Sequence, residues 1–318
     1  MSTALRLGTR RSPLAVAQSE QVADALRRSS GRPVELVEIT TQGDVDPAPL
    51  ATIGGTGVFV SALRDALLAG TVDIAVHSLK DLPTAPADGL VTAAVPPRAD
   101  PRDALVGAPL ADLPAGARIG TGSPRRAAAL HAMNRGLLPV EVRGNVDTRL
   151  AMVSDGRLDA VVLAMAGLAR LGRSHVAAHA IDPAQMLPAP GQGALAVEVR
   201  HDVAEALAGA MAQVDEPASH AAVRAERAAL ARLEAGCSAP VGALAHVHGN
   251  ELTLLVAVWA PDGSRHLEAR GTGTVSSPDD LGRVLADDLL ARGAADLMHD
   301  RPHDSPPDRA PQLKETAL

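Results

Sequence analysis

At 318 residues the chain is long enough for two or three domains, each burying its own core, and its 46% apolar content is ordinary for a globular protein. A formal net charge of −7 excludes any general attraction to nucleic acid or to an anionic membrane. The only large aromatics are Phe59 and Trp259, so the core must be aliphatic and stacking platforms for single-stranded nucleic acid are missing.

The opening MSTALRLGTRRSPLA has no apolar run of signal-peptide length, and no stretch approaches 18 uninterrupted apolar residues. The one cysteine cannot form an internal disulfide, and a cytoplasmic location is expected. Along the chain, Ala4 to Gly8 reads as a strand, after which Ser12 caps a helix with Pro13 at its first position. Val34 to Thr41 reads as a strand. Gly54, Gly55 and Gly57 mark a loop before a helix through Val60, Leu63, Leu67 and Leu68, and Val72 to His77 is a strand running into HSLKDLP. A second unit begins near Pro96: strand Arg118 to Thr121, helix from Ser123-Pro124, strand Val140 to Arg143, helix from Asn145, strand Asp159 to Ala164 and the turn MAGLARLG. Residues 188–200, PAPGQGALAVEVR, bring a glycine-rich crossing and then a strand that returns the chain to the first unit. A third region starts at Glu216-Pro217. It has a helix around Ala222 to Leu233 ending at Gly236-Cys237, strands at Leu252 to Trp259 and His266 to Thr272, and a last helix from about Pro278 to Arg292. The end, rich in proline and charge, reads as disordered. Alternating strands and helices indicate an α/β class. Gly8-Thr9 before Ser12-Pro13 echoes Gly120-Thr121 before Ser123-Pro124, as two similarly built domains would.

Three strand-to-helix junctions carry arginine: GTRRSP, GTGSPRRA and RGNVDTRL. A helix N-terminus offers unpaired N–H groups and partial positive charge, and arginine adds a planar fork for carboxylate or phosphate. Arg10, Arg11, Arg125, Arg126, Arg143 and Arg149 are either solvated surface residues or the lining of one cationic cleft; three junctions of one design favour the cleft. None is a Walker A or GxGxxG loop, so nucleotide binding is not indicated. In HSLKDLP, Lys80 is the only lysine outside the tail, and Asp81 follows it at a strand exit. The pair is an ordinary ion pair on a turn or a carboxylate placed to stabilise a developing cation and shuttle a proton; a Schiff-base lysine is a further alternative. Cys237, in EAGCSAPVG, is a packed small hydrophobe or an accessible thiol on a loop. His77 lies at the strand end beside HSLKDLP, and no histidine set has metal-ligand spacing, so no metal site is expected.

The stretches LGTRRSPLAVAQ, GGTGVFVSAL, DIAVHSLKDLP, DPRDALV, IGTGSPRRAAAL, VRGNVDTRL, DAVVLAMAGLARLG, LPAPGQGALAVE and AERAALARLEAGCSAPVGALA occur in this order from about Leu5 to about Leu297. Together they resemble the hydroxymethylbilane synthase (porphobilinogen deaminase) family. The resemblance implies three α/β domains. Two are periplasmic-binding-protein-like lobes around a cleft, residues 1–96 with 194–214 and residues 97–193. The third, residues 215–298, is a smaller α+β domain carrying the cofactor cysteine, with residues 299–318 as a disordered tail. It implies a transferase of porphyrin and heme biosynthesis, monomeric and cytoplasmic, that condenses four porphobilinogen molecules head to tail. Ammonia is released, and the product is hydroxymethylbilane. The primer is a dipyrromethane cofactor joined by a thioether to Cys237. Arg10, Ser12, Thr121, Ser123, Arg125, Arg126, Arg143, Arg149 and Arg170 are implied to hold the pyrrole carboxylates, Lys80 to bind the cofactor, and Asp81 to be catalytic. Thr52, Gly54, Gly55, Thr56, Gly57 and Phe59 fall on an implied lid loop. Here Thr52, Thr56 and Ser61 replace lysines of familiar members, which makes the loop less cationic. Asp147 stands where some members have glycine, either tuning the neighbouring arginines or capping the helix, and Pro124 where some have leucine. The alternative from another class is a non-catalytic cytosolic anion-binding module, which accounts for the arginine junctions but not for Cys237 or HSLKD.

Overall fold

The computed structural model describes residues 4–40, 58–235 and 239–299. The chain enters through β1 (Leu5–Thr9), α1 (Pro13–Ser30) and β2 (Val34–Glu38), then α2 (Val58–Leu68), β3 (Ile74–Ser78) and β4 (Leu90–Ala94). A first crossing, residues 95–102, leads to β5 (Asp103–Val106), β6 (Arg118–Thr121), α3 (Pro124–Ala132), β7 (Leu138–Glu141), α4 (Val146–Ser154), β8 (Ala160–Ala164), α5 (Met165–Arg170) and β9 (Ala177–Ala180). A second crossing, residues 188–194, leads back through β10 (Leu195–Arg200) to α6 (Ala204–Val214). The rest is α7 (Pro217–Arg232), β11 (Val241–His248), β12 (Glu251–Trp259), β13 (His266–Thr274), α8 (Pro278–Ala291) and α9 (Ala294–His299).

The first two sheets share one plan. Strand order is β2-β1-β3-β10-β4 in one and β7-β6-β8-β5-β9 in the other. In each, three strands run parallel and the fourth, β10 or β5, is antiparallel to both neighbours. That fourth strand is the one each crossing delivers. β1 and β6 occupy equivalent places, so the repeated Gly-Thr…Ser-Pro of the sequence is a repeat of structure. Leucine side chains crowd the two glycines alike: a Cβ on Gly8 would meet Leu63 at 3.1 Å, and one on Gly120 would meet Leu158 at 2.6 Å. These α/β units are the two lobes. The third unit is an antiparallel sheet, β11-β12-β13, backed by α7 and α8, which pack closely on each other.

The cores are aliphatic, as the composition requires. Trp259 packs with Ala128 of α3 and Leu187 before the second crossing, and stacks on His266 at 6.3 Å between ring centroids. It therefore marks the seam between the third unit and the second lobe. The turn between β12 and β13 presses on α3 there: a Cβ on Gly263 would lie 2.6 Å from the Ala128 carbonyl oxygen.

Several expectations are corrected. MAGLARLG is not a turn, because Met165–Arg170 is helical. The helix expected at Ala222 begins at Pro217, where the Glu216 side chain accepts from the N–H groups of Ala218 and Ser219. The strand expected at Val72 begins at Ile74, since Thr71 and Val72 still donate to the Ala66 carbonyl and close α2. The strand expected at Val140 to Arg143 spans Leu138–Glu141. Strands β4, β5, β9 and β11 and helix α6 were not foreseen: the first three strands have four or five residues, too few to display a period.

Candidate functional site

A cavity of about 180 Å³ opens where all three units meet. Lys80 and Asp81 line it from the first lobe, Gly122 to Arg126 from the second, Ala189, Pro190 and Gln192 from the second crossing, and Leu230, Ala239 and Val241 from the third unit.

The turn carrying Lys80 and Asp81, Leu79–Asp81, follows β3 directly. It is held from three sides. Gln18 of α1 donates to the Ser78 hydroxyl at 2.8 Å. Leu79 N–H donates to the Ala194 carbonyl at 3.1 Å. Arg227 of α7 donates to the carbonyls of Leu79, Leu82 and Pro83 at 3.2, 2.8 and 2.6 Å. Asp81 is exposed to the cavity and Lys80 is half-buried. Desolvation by the surrounding protein outweighs the attraction of Asp81 and pulls the Lys80 ammonium below the usual lysine range.

At the second junction Ser123 occupies the N-cap position of α3 without capping it by its side chain, and the residue lines the cavity. Thr121 is buried, and its hydroxyl accepts from Ser123 N–H at 3.1 Å, so it shapes the turn. Arg125 and Arg126 are both buried, and both converge on Asp103, a wholly buried carboxylate at the start of β5. Desolvation pushes the Asp103 carboxyl up, but the two guanidinium charges outweigh it and hold it at about 2. Burial pulls the Arg125 guanidinium down. Arg149 is half-buried, donates to the Gly144 carbonyl at 2.9 Å, and is pulled down by burial and then by the charge of Arg126. Arg170, at the end of α5, donates to the Gly193 carbonyl at 2.7 Å, and burial pulls it down to about 10.

The first junction lies across from α5: Leu14, two residues past Ser12, comes within 3.8 Å of the Cβ position of Gly167. Ser12 caps α1 by accepting from Ala15 N–H at 3.3 Å, and Arg10 beside it is half-buried. Two further junction arginines carry surface ion pairs. Arg11 is exposed and pairs with Glu38 at 3.1 Å; Arg143 is exposed and pairs with Glu141 at 2.9 Å. In each pair the carboxylate stands at the end of a strand in the same lobe. Asp147 pairs with Arg173 at 3.2 Å in the first turn of α4, so it tunes neither Arg143 nor Arg149 directly. His77 is buried with its Nε2 3.2 Å from Glu198, which Arg64 grips through both oxygens.

Cys237 and the segment with Thr52, Gly54, Gly55, Thr56 and Gly57 lie outside the described residues, as does the side chain of Phe59. Ala239, two residues beyond Cys237 in the sequence, lines the cavity. Among the described residues no group of three or more His, Cys, Asp and Glu is arranged to hold a metal ion, and no helix is long and apolar enough to cross a membrane.

The arrangement fits a ligand bearing carboxylates. Arg125 Nε and Arg170 Nε are buried donors without a partner in the protein, and a buried donor calls for an acceptor. Lys80, Arg125 and Arg126 line the cavity with Asp81, the buried Asp103 pairs with both arginines, and Arg149 lies near enough to Arg126 to feel its charge. Three further residues join this site that motif reading did not single out. Asp103 and Gln192 hold the arginine pair. Glu226 of α7, wholly buried, accepts from Arg98 at 2.6 and 3.1 Å, from Gly191 N–H at 2.7 Å and from Ala245 N–H at 2.8 Å, binding both crossings to the third unit. The available signal was a carboxylate inside an otherwise apolar run, as in Asp103-Ala-Leu-Val, which must find a cation if the run is buried.

Fold and site together define a two-lobed α/β protein with a basic cavity between the lobes, closed on one side by a small third unit. Residues 5–208 match the family model "Porphobilinogen deaminase, dipyromethane cofactor binding domain", and residues 220–291 match "Porphobilinogen deaminase, C-terminal domain". Relatives include porphobilinogen deaminase 1 of Streptomyces coelicolor, 56% identical over 94% of this chain and 98% of the relative. The porphobilinogen deaminases of Nocardia farcinica and Mycobacterium tuberculosis are 55% and 51% identical, over 93% and 92% of this chain and 88% and 98% of theirs. Among solved structures, the methionine-binding protein MetQ aligns with TM-score 0.44 at 12% identity, over 66% of this chain and 89% of that one. A periplasmic substrate-binding protein from Coxiella burnetii aligns with TM-score 0.43 at 17% identity, over 68% and 94%. The chain belongs to the porphobilinogen deaminase family. With that membership the reading as a non-catalytic anion-binding module is set aside.

Proposed function

We propose that the chain is a hydroxymethylbilane synthase, joining four porphobilinogen molecules head to tail with loss of ammonia and releasing the linear tetrapyrrole by hydrolysis. The observation that carries this reading is the meeting of Asp81, Lys80 and the Arg125–Arg126 pair in one cavity that Ala239, two residues past Cys237 in the sequence, also lines. Each porphobilinogen carries an acetate and a propionate, so the growing chain is a polyanion that needs several cationic forks. Arg125, Arg126, Arg149 and Arg170, with the Ser123 hydroxyl, hold those carboxylates around the cavity; Arg10 and Ser12 serve them from the opposite junction. When bound through a thioether to Cys237, the dipyrromethane would supply the free pyrrole position to which the first unit is joined, each later unit joining the one before it. Lys80 offers its ammonium to that group's carboxylates. Asp81 is the catalytic residue. As the C–N bond of porphobilinogen breaks and nitrogen leaves with the electron pair, positive charge develops on the pyrrole, and the fixed Asp81 carboxylate stabilises it and takes up the proton released on joining.

The domain division follows the same reading: residues 1–96 with 194–214, 97–193 and 215–298. The protein is taken to work as a cytoplasmic monomer without nucleic-acid or membrane partners. The test is the intact mass of the purified protein beside a Cys237→Ser variant. An excess equal to a linked dipyrromethane, absent from the variant and restored to apo-protein by porphobilinogen, is expected. If nothing attaches even with porphobilinogen present, the proposal fails.

A further inference from the structure

Asp103 is wholly buried at the entry of the first crossing into β5, and none of the chemistry above uses it. Its Oδ2 accepts from Arg125 Nη2 at 2.8 Å. Its Oδ1 accepts from Arg126 Nε and Nη2 at 3.0 and 2.7 Å, and from Gln192 Nε2 at 2.9 Å. Arg125 and Arg126 are consecutive at the start of α3, where side chains diverge by about 100°, yet both forks close on this single carboxylate. They stand at a helix N-terminus, whose partial positive charge opposes them. Two buried cations there require a counter-charge.

The remaining bonds fix where the forks sit. Arg125 Nη1 donates to the Leu187 carbonyl at 2.6 Å, and Arg126 Nη1 to the Val162 carbonyl at 3.0 Å. Gln192 Nε2 also donates to the Pro101 carbonyl at 2.7 Å. Gln192, on the second crossing, thus holds both the carbonyl of Pro101 on the first crossing and the carboxylate that holds the arginines. Both guanidiniums keep N–H groups beyond these bonds, Arg125 Nε among them, and both residues line the cavity.

We propose that Asp103, braced by Gln192, is a positioning residue that aims the Arg125 and Arg126 forks at the carboxylates of the bound pyrroles. The inference rests on the reading of those arginines given above. It makes a prediction opposite in sign to net charge. Removing one anion makes the cavity more cationic, and Coulomb attraction alone would then tighten capture of a polyanion. Loss of aim weakens it.

The experiment compares wild type with Asp103→Asn, which keeps the shape and removes the charge, and with Gln192→Met, which leaves every charge in place and loosens the brace. Three quantities are read: the rate at which apo-protein gains the primer mass on adding porphobilinogen, KM against kcat, and melting temperature. For Asp103→Asn the expected result is primer gain slowed and KM raised at least about fivefold, with kcat within about threefold because Asp81 is untouched. For Gln192→Met a rise in KM of about two- to threefold is expected. An unchanged or lowered KM in a folded Asp103→Asn overturns the inference. Should that variant not fold, wild-type KM and primer gain in Gln192→Met overturn it instead. A wild type that neither gains primer nor consumes porphobilinogen overturns the reading of the site and this inference with it; an active wild type with indifferent variants overturns this inference alone.

Discussion

Arg170 donates through Nη2 to the carbonyl of Gly193 at 2.7 Å, so a cation of the second lobe rests on the segment that returns the chain to the first. The same carbonyl accepts from Ala99 N–H of the other crossing at 3.2 Å. Its Nε has no partner in the protein, and burial pulls the guanidinium down to about 10.

Arg170→Gln should therefore raise KM for porphobilinogen about tenfold, the equivalent of ~1.4 kcal/mol for one charge-assisted contact. Its melting temperature should hold or rise, because a poorly compensated buried charge is removed. Steady-state kinetics and a thermal melt on the same preparation check both halves; an unchanged KM would exclude Arg170 from carboxylate binding.

Asp81→Asn keeps the shape of the turn clamped by Arg227 and removes the charge. The variant should still carry the primer mass and lose nearly all turnover. Activity above about a tenth of wild type, less than ~1.4 kcal/mol in barrier, would take Asp81 out of the catalytic role.

Acid should loosen the fold through Glu198. Desolvation pushes its carboxyl up, but His77 and Arg64 more than compensate and hold it at about 2, against an ordinary value of 4.5. A carboxyl depressed in the folded state favours folding above its unfolded pKa, and that contribution is lost as pH falls from about 4.5 toward 2. The urea midpoint should be level from about pH 7 to 5 and fall below about pH 4.5. Glu198→Gln should be less stable at neutral pH and show a shallower acid fall; an equally steep fall in the variant would remove Glu198 as the cause.

Gly193→Ala should be poorly tolerated. The residue sits at φ +89, and an added Cβ would lie 2.5 Å from the Ala99 carbonyl oxygen. Forcing the two crossings apart should cost about 1–3 kcal/mol. A lowered melting temperature together with slower primer uptake is expected; a wild-type melt would show that the crossings yield freely.

Much of this architecture is readable from local chemistry. Ser12-Pro13, Ser123-Pro124 and Asn145 begin helices because cap chemistry and proline stereochemistry act within a few residues. The exit of β3 into Lys80 and Asp81 is legible for the same reason. What is not legible is partnership across distance. Arg11 and Arg143 belong to the same junction pattern as Arg125 and Arg126, yet Glu38 and Glu141 take them. Only tertiary pairing with Asp103 separates the second junction from the other two. Short strands such as β5 and β9 escape notice because their existence depends on neighbours in the sheet.

One consequence concerns light. The chain has one tryptophan and no tyrosine, so its near-ultraviolet emission comes essentially from Trp259, wedged between β12, α3 and the residues before the second crossing. The protein carries its own optical gauge at the joint between the second lobe and the unit bearing Cys237. Any movement of that joint as the tetrapyrrole lengthens is open to observation without a label.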